Sequence, residues 1–168
     1  MMFDTTLLFF WGLSMTPFAL WVLVGKRLPA QLWTAGLASL LAGLAAGVAS
    51  LGAIFTLLGA FRVDPQVIVV FVLLFSVHWA MVEAEASAAN FIIGRGARYA
   101  SKHRELFAKI GAGAGHAIWF WWAYRYLYPS SVYEVDEFSR LCLYMVLPAS
   151  LMAAPLAALG ATFAPRER

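Results

Sequence analysis

Five stretches of this 168-residue chain contain no Asp, Glu, Lys or Arg: residues 5–25, 28–61, 65–82, 110–124 and 141–165. Runs of this kind constrain the fold more than any motif. The hydrocarbon of a bilayer accepts only segments that satisfy their own backbone hydrogen bonds, and a helical span takes about 20 apolar residues. The third run reaches that length by continuing through Glu83 and Glu85 to residue 94. The fourth does so by taking in Lys109 and Arg125, from residue 106 to 128. Only 12% of the chain is charged, against ~25% in ordinary soluble domains. Membrane β-strands would alternate polar and apolar residues over about 10 positions, and no segment does. The expectation is an all-α, polytopic membrane protein: a single transmembrane domain over residues 1–168, with helices near 5–25, 31–60, 65–94, 102–128 and 138–163, the third at the centre.

Charge placement gives the orientation. With five spans, Lys26, Arg27, Arg95, Arg98, Lys102, Arg104, Arg166 and Arg168 all fall on one side. Arg62 and Arg140 fall on the other, with Arg125 near its interface, among Asp4, Asp64, Glu134, Asp136 and Glu137. The positive-inside rule then puts the N-terminus outside and the C-terminus in the cytoplasm, in a plasma (inner) membrane. The basic residues are accounted for by topology, so nucleic acid is not an expected partner. Met1-Met2-Phe3-Asp4 lacks the basic start of a cleaved signal, and the first helix is expected to stay as an anchor. The single cysteine, Cys142, rules out an internal disulfide and a CxxC site.

Local signals punctuate the helices. Asp64-Pro65 reads as a cap and first-turn proline for helix three, Pro29 similarly for helix two, and Ser101 as a cap for helix four. Pro17, Pro148 and Pro155 are expected to bend helices one and five. Helix two carries Ser39, Gly43 and Gly47 at every fourth position. Such a face lets backbones approach closely, either inside the bundle or against a partner subunit or second copy. At 1.5 Å per residue the second run measures roughly 46 Å, so it must tilt, protrude or break near residues 47–52. The aromatic cluster 119–128 suits an interfacial belt.

The residues that suggest chemistry lie on helices three and four. His78 stands 19 positions before Ala97, the centre of the connecting loop, and His116 stands 19 after it. Antiparallel helices rise equally per residue, so the two imidazoles are expected at one depth near mid-membrane, where an ionisable side chain implies function. The same count sets Glu85 beside Lys109, as a pair one or two turns toward the cytoplasm. Glu83 is expected to lack a basic partner, on a second polar face with Ser76, Ser87 and Asn90. Being unpaired, Glu83 is the expected proton carrier and Glu83→Gln the informative change. His103 belongs to the basic loop.

Three functions fit. The seam of Glu83, Glu85, Lys109, His78, His116 and Asn90 could move protons or small cations. His78 and His116 could instead be the axial ligands of a haem b, laid on the flat surface of Gly111-Ala-Gly-Ala-Gly115. The seam could also only lock helices in a structural or assembly subunit. No HExxH, GxSxG or phosphate-binding loop is present, which makes an enzyme the less expected class. Any metal is left unknown, and Glu83 and Glu85 diverge too widely on a helix to share one ion.

Overall fold

The computed structural model describes residues 5–61, 67–96, 103–126 and 142–165, and all of the described regular structure is helical. Helix α1 spans Thr5–Val24, α2 Ala30–Phe61, α3 Val67–Gly96 and α4 Arg104–Tyr126. The last helix opens with a π-helical segment, Cys142–Val146, and continues as α5, Leu147–Phe163. A short 3-10 turn, Gly25–Arg27, links α1 to α2. The caps expected at Asp64 and Ser101, the loop centre at Ala97 and the outer acidic segment with Glu134, Asp136 and Glu137 lie outside the described residues.

Two helices are long and apolar enough to cross a membrane: Ala30–Ala60 and Cys142–Phe163, with mean hydropathy 2.0 and 1.8. The described residues thus qualify two of the five expected spans. On α4, Glu105, Lys109 and His116 lower the apolarity of the helix.

Helix α2 runs unbroken from Ala30 to Phe61, and no break occurs at Gly47 or Gly52. Thr56 donates to the Gly52 carbonyl at 2.8 Å, a local bond that a continuous helix tolerates. The π-helical segment before α5 has a physical cause in Pro148. Its ring displaces the carbonyl four residues back and it offers no N–H, and a widened turn absorbs both defects.

The enclosed helix is α5, not the expected helix three. Every residue from Pro148 to Pro155 is buried, and α5 packs against α1, α2, α3 and α4. Its alanines explain this, since Ala149, Ala153, Ala154, Ala157 and Ala158 let neighbours approach from several sides. By contrast α3 leaves Val72, Phe75, Trp79 and Phe91 exposed. Only one of its two polar faces turns into the protein.

Glycines set the closest contacts. A Cβ on Gly111 would strike the Leu156 carbonyl, one on Gly160 the Phe107 carbonyl, and one on Gly115 would lie 2.5 Å from Ala153 Cα. Helices α4 and α5 therefore meet backbone to backbone. On α2, a Cβ at Gly43 would overlap the Glu85 carboxyl and one at Gly47 would lie 2.5 Å from Val146 Cγ1. Ser39, fully buried, donates to the Glu85 carbonyl at 2.9 Å. The small-residue face of Ser39, Gly43 and Gly47 is thus filled by the chain's own helices, and the partner interface expected there has no room.

Candidate functional site

Two apolar clusters bracket the polar centre. One includes Leu51, Val77, Met81, Trp119, Val146 and Met152. The other, nearer the opposite ends of the helices, is built on Ala35, Ala86, Ala89, Ala108, Ala112 and Ala157. Between them lie His78, Glu85 and His116, exposed by 7%, 0% and 4%. Trp119, expected in an interfacial belt, instead sits in the first cluster, while Trp121 faces outward.

His78 and Glu85 share one face of α3, seven positions apart, which is two helical turns or roughly 10 Å. His116 reaches from α4 into the gap. Its Nδ1 lies 2.8 Å from Nδ1 of His78, and its Nε2 lies 3.1 Å from Oε2 of Glu85. The imidazole planes stand edge to face at 74°, and the Phe120 ring closes the other side of His78 at 6.0 Å between centroids. His116 thus uses both ring nitrogens to join the other two groups. The chain of polar atoms is continuous.

Its two ends are bare. Glu85 Oε1 and His78 Nε2 are buried without a hydrogen-bond partner, as are Ser150 Oγ and, away from the chain, Trp21 Nε1 and Trp119 Nε1. Ser150 on α5 lies beside the Glu85 carboxyl without meeting hydrogen-bond geometry. Orphaned buried polar atoms cost about 1–3 kcal/mol each, so their place at both ends of one chain calls for a reason.

The geometry allows a directional hydrogen-bonded chain. With Glu85 ionised, His116 Nε2–H donates to the carboxylate, His116 Nδ1 accepts from His78 Nδ1–H, and His78 Nε2 carries a free lone pair. A proton added at His78 Nε2 displaces the Nδ1 proton onto His116, whose Nε2 proton moves to Glu85. Two short transfers would then carry one charge from His78 to Glu85. Resetting after Glu85 releases its proton requires both rings to reorient.

The ion pairing differs from that expected. Lys109 does not meet Glu85. Its Nζ lies 2.8 Å from Glu83 Oε2 and 3.0 Å from Glu105 Oε1 on its own helix. Glu83, expected to be unpaired, is therefore the partner of Lys109. Side-chain direction decided the pairing: Glu85 shares the inward face with His78, where His116 meets both, and Glu83 points outward. Asn90 is half-buried on α3 and belongs to neither cluster. His103 is exposed, and its carbonyl accepts from Phe107 N–H at 2.9 Å. Sequence reasoning did not place Ser39, Gly43 and Ser150 at the site. Ser150, a lone serine in an apolar run, was the available signal.

The residues present do not fit a haem between His78 and His116. A metal between two imidazoles needs each nitrogen about 2 Å away, so roughly 4 Å between them, with a macrocycle in the gap. Here the nitrogens are in hydrogen-bond contact at 2.8 Å, and the glycines of 111–115 pack on α5. Among the described residues no group of three or more His, Cys, Asp or Glu side chains converges as a metal site. No protein-family model, curated protein or solved structure matches the chain.

Proposed function

We propose that this chain is a multi-pass protein of the plasma (inner) membrane that passes protons along Glu85, His116 and His78, as a subunit of a larger complex or as a homo-oligomer. In this reading all five helices span the bilayer, with the N-terminus outside and the C-terminus in the cytoplasm. The observation that carries it is the unbroken polar chain with a bare atom at each end.

Depth supports it. The apolar span Ala30–Ala60 has its midpoint at Ala45, between Gly43, which faces Glu85, and Gly47, which faces Met81. The span Cys142–Phe163 has its midpoint at Met152 and Ala153, and Ala153 meets Gly115, next to His116. In this reading both midpoints set the triad near the centre of the slab, where a polar group that serves only packing is expensive. Protons fit better than hard metal cations, because cations such as Ca²⁺ take 6–8 oxygen ligands and two of the three groups here are imidazoles.

The test is Glu85→Gln in proteoliposomes, with proton flux read by an internal pH dye under an imposed potential. Lys109 pairs elsewhere, so the change strands no buried cation. The amide keeps the shape and removes a buried charge, which leaves stability unchanged or raised. Flux should fall to the level of empty vesicles. Wild-type flux in the folded variant would end this reading.

A further inference from the structure

Glu83, Lys109 and Glu105 form a second polar cluster, on the outside of α3 and α4. Their side chains are 37%, 32% and 47% exposed. Exposed Ser76 and Ser87 continue the polar stripe along α3, beside Trp79, exposed by 60%; farther toward the end of the helix the Arg95 guanidinium lies over the Phe91 ring at 4.2 Å. The depth relation that centres the triad also puts Glu83 at mid-slab, since Gly43 and Gly47 of α2 face Glu85 and Met81 on either side of it. Lipid tails are a poor environment for such a group, and intramembrane charges face protein or a water-filled cavity.

We propose that this face docks a membrane-spanning helix of another protein that carries one Arg or Lys near its centre. The proposal rests on the membrane-spanning reading above but not on proton transfer. Its basis is charge complementarity. Among the described residues of the cluster, two carboxylates and one ammonium leave one excess negative charge, and a single basic side chain on the incoming helix neutralises it with charge-assisted hydrogen bonds. A second copy of this chain in two-fold contact would instead set four carboxylates against two ammonium groups, which desolvation opposes. The serines of the stripe offer further hydrogen bonds across the helix interface.

The test uses two synthetic Leu/Ala membrane helices, identical except for a central Arg or Gln, and the full-length protein in lipid vesicles, with association read by energy transfer. The Arg helix should bind on the order of tenfold more tightly than the Gln helix. Glu83→Gln brings the cluster to neutrality and should remove most of that preference. Lys109→Gln raises the excess to two negative charges and should enlarge it. Equal binding of the two helices, a preference unmoved by both substitutions, or self-association of labelled copies that Glu83→Gln abolishes would each overturn the proposal. Resistance of the expressed protein to alkaline extraction from membranes tests the membrane reading separately: a protein that washes off fails there, and one that stays without an Arg preference fails only here.

Discussion

Gly113 and Gly115 stand two positions apart on α4, so changing either to alanine adds the same methyl group to the same helix. In a helix interior that change stabilises by about 1 kcal/mol through chain entropy and backbone shielding. At Gly113 nothing lies within 4 Å of the new Cβ, and the full gain should appear. At Gly115 the Cβ would lie 2.5 Å from Ala153 Cα and 2.8 Å from Ala153 N. These are backbone atoms of a packed helix and cannot rotate aside. Ordinary carbon contacts are about 3.5–4.0 Å, so α4 and α5 would have to separate by about 1 Å along a seam that also contains Gly111 and Gly160. Overpacking of this kind costs about 1–3 kcal/mol. Set against the helical gain, Gly115→Ala should be destabilised by ~0–2 kcal/mol, leaving a gap of ~1–3 kcal/mol between the variants. At about 2–4 °C per kcal/mol for a chain of this size, their melting temperatures in detergent should differ by several degrees, with Gly113→Ala the higher. Circular dichroism during heating measures this. Equal melting temperatures, or a more stable Gly115→Ala, would refute the closed α4–α5 seam and reopen the groove that a flat ligand needs.

Other consequences follow from single contacts. Gly43→Ala places a Cβ 2.7 Å from both Cγ and Cδ of Glu85; the side chain yields rather than the backbone, so stability should stay within about 1 kcal/mol of wild type while proton flux falls severalfold. Unchanged flux would separate the position of Glu85 from function. Ser39→Ala deletes the buried bond to the Glu85 carbonyl and should destabilise by about 1 kcal/mol, read as a lower melting temperature; no shift would mean the bond contributes nothing. Protein purified after expression with haem supplied should show no haem band in a reduced-minus-oxidised spectrum, and a stoichiometric band would contradict the direct His78–His116 contact.

The helices and the site were legible to different degrees. Long uncharged runs gave the helices, because apolar content and backbone satisfaction are properties of a segment alone. The His78–His116 contact was also legible, since a count from the loop fixes depth on antiparallel helices. The carboxylate partners were not. Glu83 and Glu85 differ by two positions, about 200° around a helix, and which one turns inward depends on where α2 and α5 lie. That depended in turn on alanine and glycine seams, such as Gly115 against Ala153, whose partners no single-helix pattern identifies. The same cause hid the central place of α5: its small residues read as a generic apolar span until three-dimensional packing enclosed them.

The central claim is that Glu85, His116 and His78 form one hydrogen-bonded chain, and ¹⁵N nuclear magnetic resonance of histidine-labelled protein in lipid bilayers tests it most directly. His78 and His116 should give a correlation between their Nδ1 atoms, 2.8 Å apart, through an N–H···N bond. Glu85→Gln should shift the Nε2 signal of His116 while leaving that correlation in place. Two histidines with no Nδ1–Nδ1 correlation, or a His116 Nε2 signal indifferent to Glu85, would contradict the account.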